Sequence, residues 1–300
     1  MVQAIHWRGV FPAVTTQFTA NDGLDFVAMA AQLEFQLEAG VHGVIILGSL
    51  GENATLDPQE KLELVRFFHE RLAGRAPLVV CIAESGTREA LQFLEAATTA
   101  GADGFMLLPP MRYASDRRET LHYLRRIGEA AARPIMLYNN PVAYGTDLLP
   151  EDFAALSEVP AFAAIKESAA DTRRFPEIRR HCGDRYALFC GVDDLAFECF
   201  TLGAVGWVAG LVVAFPRETL RLYELMAAGE WSAARAWYEW FLPLLHLDIG
   251  PKFVQQIKFV QQLHGVGSAR VRGPRLELEA AEQTRIRAIY DRAMASRPAL

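Results

Sequence analysis

Ala39-Gly40-Val41-His42-Gly43 runs straight into Val44-Ile45-Ile46-Leu47. This stretch holds a helix ending, a tight turn and a strand. Gly40 supplies the left-handed residue on which helices commonly close. The run after Gly43 is mostly β-branched, which suits a strand packed on both faces. The same pattern returns at Ala100-Gly101-Ala102-Asp103-Gly104 and at Leu202-Gly203-Ala204-Val205-Gly206. Working outward from these three, eight short apolar runs read as strands: 10–18, 43–47, 78–83, 104–108, 135–138, 162–166, 187–190 and 205–209. They are continuous rather than alternating, as parallel strands covered by helices are. Eight strands alternating with helices predict an α/β fold, a (β/α)8 TIM barrel over residues 1–225. A doubly wound sheet is the competing architecture, but no Gly-x-Gly-x-x-Gly follows the first strand.

Helix signals fill the gaps. Phe26, Met29, Ala30, Leu33 and Leu37 share a helical face between Asp25 and Ala39. Asp57-Pro58-Gln59-Glu60 is an N-cap, an N1 proline and an acidic first turn, and that helix is expected to end at Gly74. Further starts stand at Thr87, Pro150, Asp171 and Pro216, and Asp193-Asp194 reads as an N-cap pair. Beyond about residue 225 no strand signal remains. Stretches 230–247, 251–264 and 279–295 are all helical in period, so residues 226–300 are expected to be a C-terminal three-helix extension. Three helices make little core alone and should pack on the barrel or on another subunit.

Bulk properties exclude several classes. In 300 residues, 51% are hydrophobic and 22% charged, with a net charge of −6 and no basic block. That argues against a nucleic-acid partner. No apolar stretch approaches the roughly 20 residues a membrane span needs, and the start lacks the apolar core of a signal peptide. A cytoplasmic protein is expected. Cys81, Cys182, Cys190 and Cys199 have neither CxxC spacing nor a histidine at metal-ligand spacing, and read as free buried thiols. No metal is expected.

Lys166 closes the apolar run Ala161-Phe162-Ala163-Ala164-Ile165. A lysine pushed out of an apolar wall loses charge stabilisation, and a desolvated amine makes Schiff bases with carbonyl substrates. A strand-end lysine reaching to water is the plainer reading. The other strand ends decide between them, since barrel sites are built there. They carry Thr15 and Thr16, Gly48-Ser49-Leu50-Gly51-Glu52-Asn53, Arg112 and Tyr113, Tyr138-Asn139-Asn140-Pro141, Gly191 and Gly210. Hydroxyls, tyrosines, glycines and one lysine converge, which is imine chemistry. The 48–51 turn precedes a helix, so its N–H groups are candidates to hold a carboxylate.

The Gly48-Ser49-x-Gly51-Glu52 turn, Tyr138-Asn139-x-Pro141 and Ile165-Lys166-Glu167-Ser168 together resemble the dihydrodipicolinate synthase / N-acetylneuraminate lyase family, in order and separation, over essentially the whole chain. The resemblance implies a Schiff-base lysine at Lys166, a proton-shuttling tyrosine at Tyr138, and a substrate carboxylate held by Ser49 and nearby backbone. Leu50, Thr16, Gly48, Asn140, Gly191 and Val208 complete the expected substrate-binding set. It also implies no cofactor and a homotetramer built from dimers. The synthases of the family carry two threonines where this chain has Ser49-Leu50, and an arginine where it has Ala143. They also place a tyrosine after strand four that reaches a neighbouring subunit; the nearest candidate here is Tyr113, after Met111 and Arg112.

Within the family, 6–18, 51–53, 138–141, 171–175 and 240–248 are similar to the 1-pyrroline-4-hydroxy-2-carboxylate deaminases. The expected reaction is therefore conversion of that cyclic imine to 2,5-dioxopentanoate and ammonia, with Glu52, Asn53 and Asn140 as candidate partners of the C4 hydroxyl. Alternatives are an aldolase or dehydratase of 2-keto-3-deoxy sugar acids, and 4-hydroxy-tetrahydrodipicolinate synthase. All use the same lysine.

Overall fold

The computed structural model describes residues 5–110, 113 and 115–299. Met111 and Arg112 lie outside them. The eight expected strands are present: β1 Gly9–Pro12, β2 Val44–Ile46, β3 Leu78–Ile82, β4 Gly104–Leu107, β5 Ile135–Asn139, β6 Phe162–Glu167, β7 Ala187–Cys190 and β8 Gly206–Ala209. All pair in parallel, β1 with β8 and then each with its sequence neighbour down to β2. An Ala13–Ile45 bridge and the Val14 N–H donating to Ile45 O at 2.9 Å close the ring between β1 and β2. The chain is a TIM barrel.

The first strand is shorter than its apolar run predicts. Pro12 has no N–H for the ladder, and past Ala13 the chain turns to serve side-chain contacts. The floor of the barrel explains two of the glycines that enter strands. Phe11 and Phe189 meet edge to face at 5.3 Å between ring centres. A Cβ on Gly43 would stand 2.2 Å from the Phe11 ring, and one on Gly206 equally close to Phe189. Those positions tolerate no side chain.

Helices alternate with the strands: α1 Phe26–Ala39, α2 Pro58–Leu72, α3 Thr87–Ala100, α4 Arg117–Ala130, α5 Pro141–Tyr144, α6 Pro150–Ala155, α7 Arg174–Cys182, α8 Ala196–Thr201 and α9 Pro216–Ala227. Helix α1 is capped by the Asp25 side chain and closes on Gly40 at φ 96°, as the opening motif predicts. Helix α2 has a full capping box from Asp57 and Glu60, but closes one residue early, on Ala73. Asp171 does not start a helix directly; it accepts from Arg173, and α7 begins at Arg174.

Beyond α9 the described residues form α10 Trp231–Leu245, α11 Phe253–His264 and α12 Ala280–Ala295. Helix α10 packs on α9 and α12, and buried Trp237, Phe241, Leu244 and Ile257 join one hydrophobic core with the barrel. All four cysteines are free, with Cys182 half-buried rather than buried. Among the described residues no helix is long and apolar enough to cross a membrane.

Candidate active site

Period-two alternation sorts the strand ends. Tyr138 on β5 stands in register with Lys166 on β6, and Lys166 with Phe189 on β7. These three face the barrel interior. Asn139 and Glu167, paired one step along, face the helical layer, where Asn139 Nδ2 donates to both Glu167 oxygens at 3.2 and 3.1 Å. Lys166 is buried, and burial lowers its pKa from the ordinary amine range. The groups that oppose this most strongly are Tyr144, Asp248, Cys81 and Asp193, all acids. Its Nζ lies over the Tyr138 ring, 4.0 Å from the centroid, and has no hydrogen bond among the described residues. The amine stacks on the Tyr138 ring and makes no hydrogen bond to its hydroxyl. Adjacent registered strands stack the amine on the ring's face, and the hydroxyl projects past it.

Burial pushes the Tyr138 phenol up to about 12, so it carries its proton at neutral pH. Asn140 Nδ2 donates to that hydroxyl at 3.0 Å, while Asn140 Oδ1 caps α5 through the Ala143 N–H. Asn140 thus fixes where the Tyr138 oxygen points. Beyond it stands Tyr144, edge to face with Tyr138 at 5.8 Å and hydrogen-bonded through its hydroxyl to Ser49 Oγ. Burial raises its phenol too. On the other side of Lys166, a Cβ on Gly191 would lie 2.7 Å from the lysine Cε and Cγ and 2.0 Å from Ser168 Oγ. Glycine there is what lets the lysine rise along the strand ends.

The Gly48–Gly51 turn is closed by the Glu52 N–H donating to Ser49 O and the Asn53 N–H to Gly48 O. The N–H groups of Ser49 and Leu50 have no partner among the described residues, which leaves them able to hold a carboxylate. The helix-terminus expectation is corrected: only a three-residue 3-10 turn, Asn53–Thr55, follows, and α2 is capped separately by Asp57. Leu50 is buried, and Gly48 stands over Met106 Cε, 3.6 Å from where its Cβ would be. Thr16 Oγ1 donates to Gly51 O at 2.7 Å, so it holds the turn rather than facing a ligand. Thr15 is directed away from the mouth, donating to Gln261 Oε1 and accepting from Gln17 and Gln32.

The sequence model of the Dihydrodipicolinate synthetase family matches residues 6–293. The chain belongs to that family. It is 33% identical to the 4-hydroxy-tetrahydrodipicolinate synthase of Pseudomonas aeruginosa over 79% of this chain and 81% of that one. It is 32% identical to that of Geotalea uraniireducens over 94% and 97%. The dihydrodipicolinate synthase of Aquifex aeolicus superposes with a TM-score of 0.91 at 24% identity, covering 95% of this chain and 97% of that one, which shows the shared barrel. As a member of the dihydrodipicolinate synthetase family, the protein is a class I aldolase-type lyase that works through a lysine Schiff base.

Against this family frame, several expected residues move. Glu52 is wholly buried and paired with Lys258 Nζ at 2.8 Å, and its other oxygen takes the Arg272 N–H. Asn53 Nδ2 donates to Leu47 O. Neither is free for a substrate hydroxyl. Asp193 is not an N-cap: its carboxylate faces inward and accepts from Trp207 Nε1, Gly210 N and Leu211 N. Burial lifts it to about 6. Tyr113 is exposed on the surface. Val208 is buried on the interior face of β8, two residues from Gly206 and two from Gly210. Tyr144 and Asp248 are the two groups at the mouth that the strand-end reading did not single out. Tyr144 follows the tyrosine motif by three residues, and Asp248 comes from the C-terminal region.

Proposed function

We propose that Lys166 attacks C2 of 1-pyrroline-4-hydroxy-2-carboxylate and that the protein converts it to 2,5-dioxopentanoate and ammonia. Burial lowers the pKa of the amine, which favours the uncharged form that nucleophilic attack requires. The Ser49 and Leu50 N–H groups hold the C2 carboxylate, with the Ser49–Tyr144 hydroxyl pair beside it. Attack opens the ring, leaving a lysine imine at C2 and a primary amine at C5. The imine acidifies C3; loss of a C3 proton and of the C4 hydroxyl as water follows. Isomerisation moves unsaturation to the C5 amine, hydrolysis there releases ammonia, and a second water frees Lys166. Tyr138, protonated at rest and oriented by Asn140, is the proton carrier.

The observation that favours this substrate over others is the lack of a cation at the mouth. The groups acting most strongly on Lys166 are Tyr144, Asp248, Cys81 and Asp193, none of them a cation, and Ala143 stands where the family's synthases carry an arginine. A second substrate carboxylate finds no bidentate clamp there. The second reading is 4-hydroxy-tetrahydrodipicolinate synthase, favoured by the names of the curated relatives at 32–33% identity. One comparison separates the two. Purified protein is given the cyclic imine in one assay and pyruvate with aspartate semialdehyde in another. Ammonia and 2,5-dioxopentanoate in the first, without product in the second, support the deaminase. Product only in the second establishes the synthase. Turnover without ammonia on a 2-keto-3-deoxy sugar acid would point to that class instead.

A further inference from the structure

The chain leaving α10 crosses the carboxyl end of β8 in a short 3-10 turn, His246–Asp248. Two contacts moor this turn to the loop after β7. The Tyr238 hydroxyl of α10 donates to Asp194 O, and His246 Nε2 lies 3.7 Å from Asp194 Oδ2. So held, Asp248 drops onto Gly210: a Cβ there would stand 2.3 Å from Asp248 Oδ1 and 2.8 Å from its Cγ. Nothing larger than glycine leaves room for that carboxyl at the mouth.

Two carboxyls therefore meet at the end of β8, and their surroundings differ. Asp193 has three donors, Trp207 Nε1 and the Gly210 and Leu211 N–H groups. Asp248 has no hydrogen bond among the described residues, although its charge and that of Lys166 act on each other. Like charges this close do not both ionise readily, and the one with donors takes the charge. Burial and Asp193 accordingly hold the Asp248 carboxyl well above the usual range. A half-buried acid with spare hydrogen-bonding capacity, near the amine, is an arrangement built for a ligand rather than for the fold.

We infer that Asp248, delivered by the C-terminal region, contacts the far end of the substrate and selects a hydroxyl or an amine there over an anionic group. The inference deepens the Schiff-base reading of Lys166 and rests on it. Whichever protonation state it holds, a carboxyl pairs with a hydroxyl or an amine. A carboxylate or phosphate would meet Asp193 and Asp248 together. The carboxylate end of the substrate is assigned to the Ser49 turn on β2, so the two recognition elements bracket the reacting carbon.

The test compares the unsubstituted protein with Asp248→Asn and Asp248→Ala. Three readouts are taken: borohydride trapping of pyruvate, which has no far end; kcat/KM for the C4-hydroxylated cyclic imine; and inhibition by 1-pyrroline-2-carboxylate, which lacks the hydroxyl. Trapping at Lys166 should persist in both variants. In Asp248→Ala, kcat/KM should fall about 10-fold, the worth of one hydrogen bond between uncharged groups. Binding of the hydroxyl-free analogue should change less than threefold. Asp248→Asn, which keeps a donor and an acceptor, should recover part of the loss. Equal losses for both ligands, or loss of trapping, would assign Asp248 a structural role and overturn the inference. If the unsubstituted protein fails to trap pyruvate, the Schiff-base reading falls, and this inference with it. That failure is distinguishable because it needs no substitution.

Discussion

Lys258→Met tests how the C-terminal region holds the carboxylate turn. Lys258 and Glu52 are both 0% exposed, with Nζ 2.8 Å from Glu52 Oε1 and 2.8 Å from Thr16 O. The change keeps the side-chain volume and removes the charge. A buried carboxylate that loses its partner costs about 3–5 kcal/mol. Glu52 keeps the Arg272 N–H at 3.0 Å and Arg275 at 3.8 Å, which argues for the lower end. The Thr16 carbonyl also loses its donor, at about 1 kcal/mol. The sum is about 4 kcal/mol, and for a chain of this size each kcal/mol moves Tm by about 2–3 °C. Circular dichroism melts should therefore show a fall of about 10 °C. Glu52→Gln combined with Lys258→Met removes the orphaned charge and should regain about half of that loss. KM for the substrate should rise in the single variant, because Thr16 also holds Gly51 O. A fall below about 2 °C, or a double variant no more stable than the single, would refute the reasoning.

Other outcomes follow from the same geometry. Gly191→Ala drives a methyl against the Lys166 side chain and should cut kcat at least about 100-fold by misplacing the amine, while Tm falls modestly; unchanged kcat would show that the lysine does not rise past Gly191. Tyr144→Phe leaves Ser49 Oγ without its partner and should lower kcat/KM by about 10- to 100-fold, read by steady-state kinetics, with wild-type kinetics telling against the hydroxyl pair. Glu167 is raised from 4.5 to about 7 by burial. A raised carboxyl contributes stability that is complete below pH 4.5 and lost as pH rises through 7. Glu167→Gln should remove that loss, gaining up to about 3 kcal/mol on the wild type between pH 4.5 and 8 in urea titrations. Parallel pH profiles for the two proteins would contradict this.

The sequence made the barrel legible because its signals are local. Gly40, Asp57 and the apolar runs act within a few residues of themselves, and so do the elements they specify. The amine–tyrosine neighbourhood was legible too, since strand ends of a barrel share one rim. What failed to show depends on distance along the chain. Glu52 and Lys258 are separated by 206 residues, and nothing near Glu52 signals a buried cation. Asp193 has the local look of an N-cap, yet Trp207, Gly210 and Leu211 outcompete the helix for it. Asp248 reaches the mouth only because Tyr238 and His246 moor the α10 exit to the loop after β7. Tyr144 was nearer at hand, three residues past Pro141, but its role depends on Ser49, 95 residues away. Period two also fixes which neighbours face inward, without fixing that the amine lies on the ring rather than at the hydroxyl.

The most direct measurement is reduction with borohydride in the presence of the cyclic imine, or of pyruvate, followed by digestion and mass spectrometry. A single reduced adduct on the peptide containing Lys166, absent in Lys166→Ala, is the predicted result. An adduct on any other lysine, or none while substrate is consumed, would contradict the account.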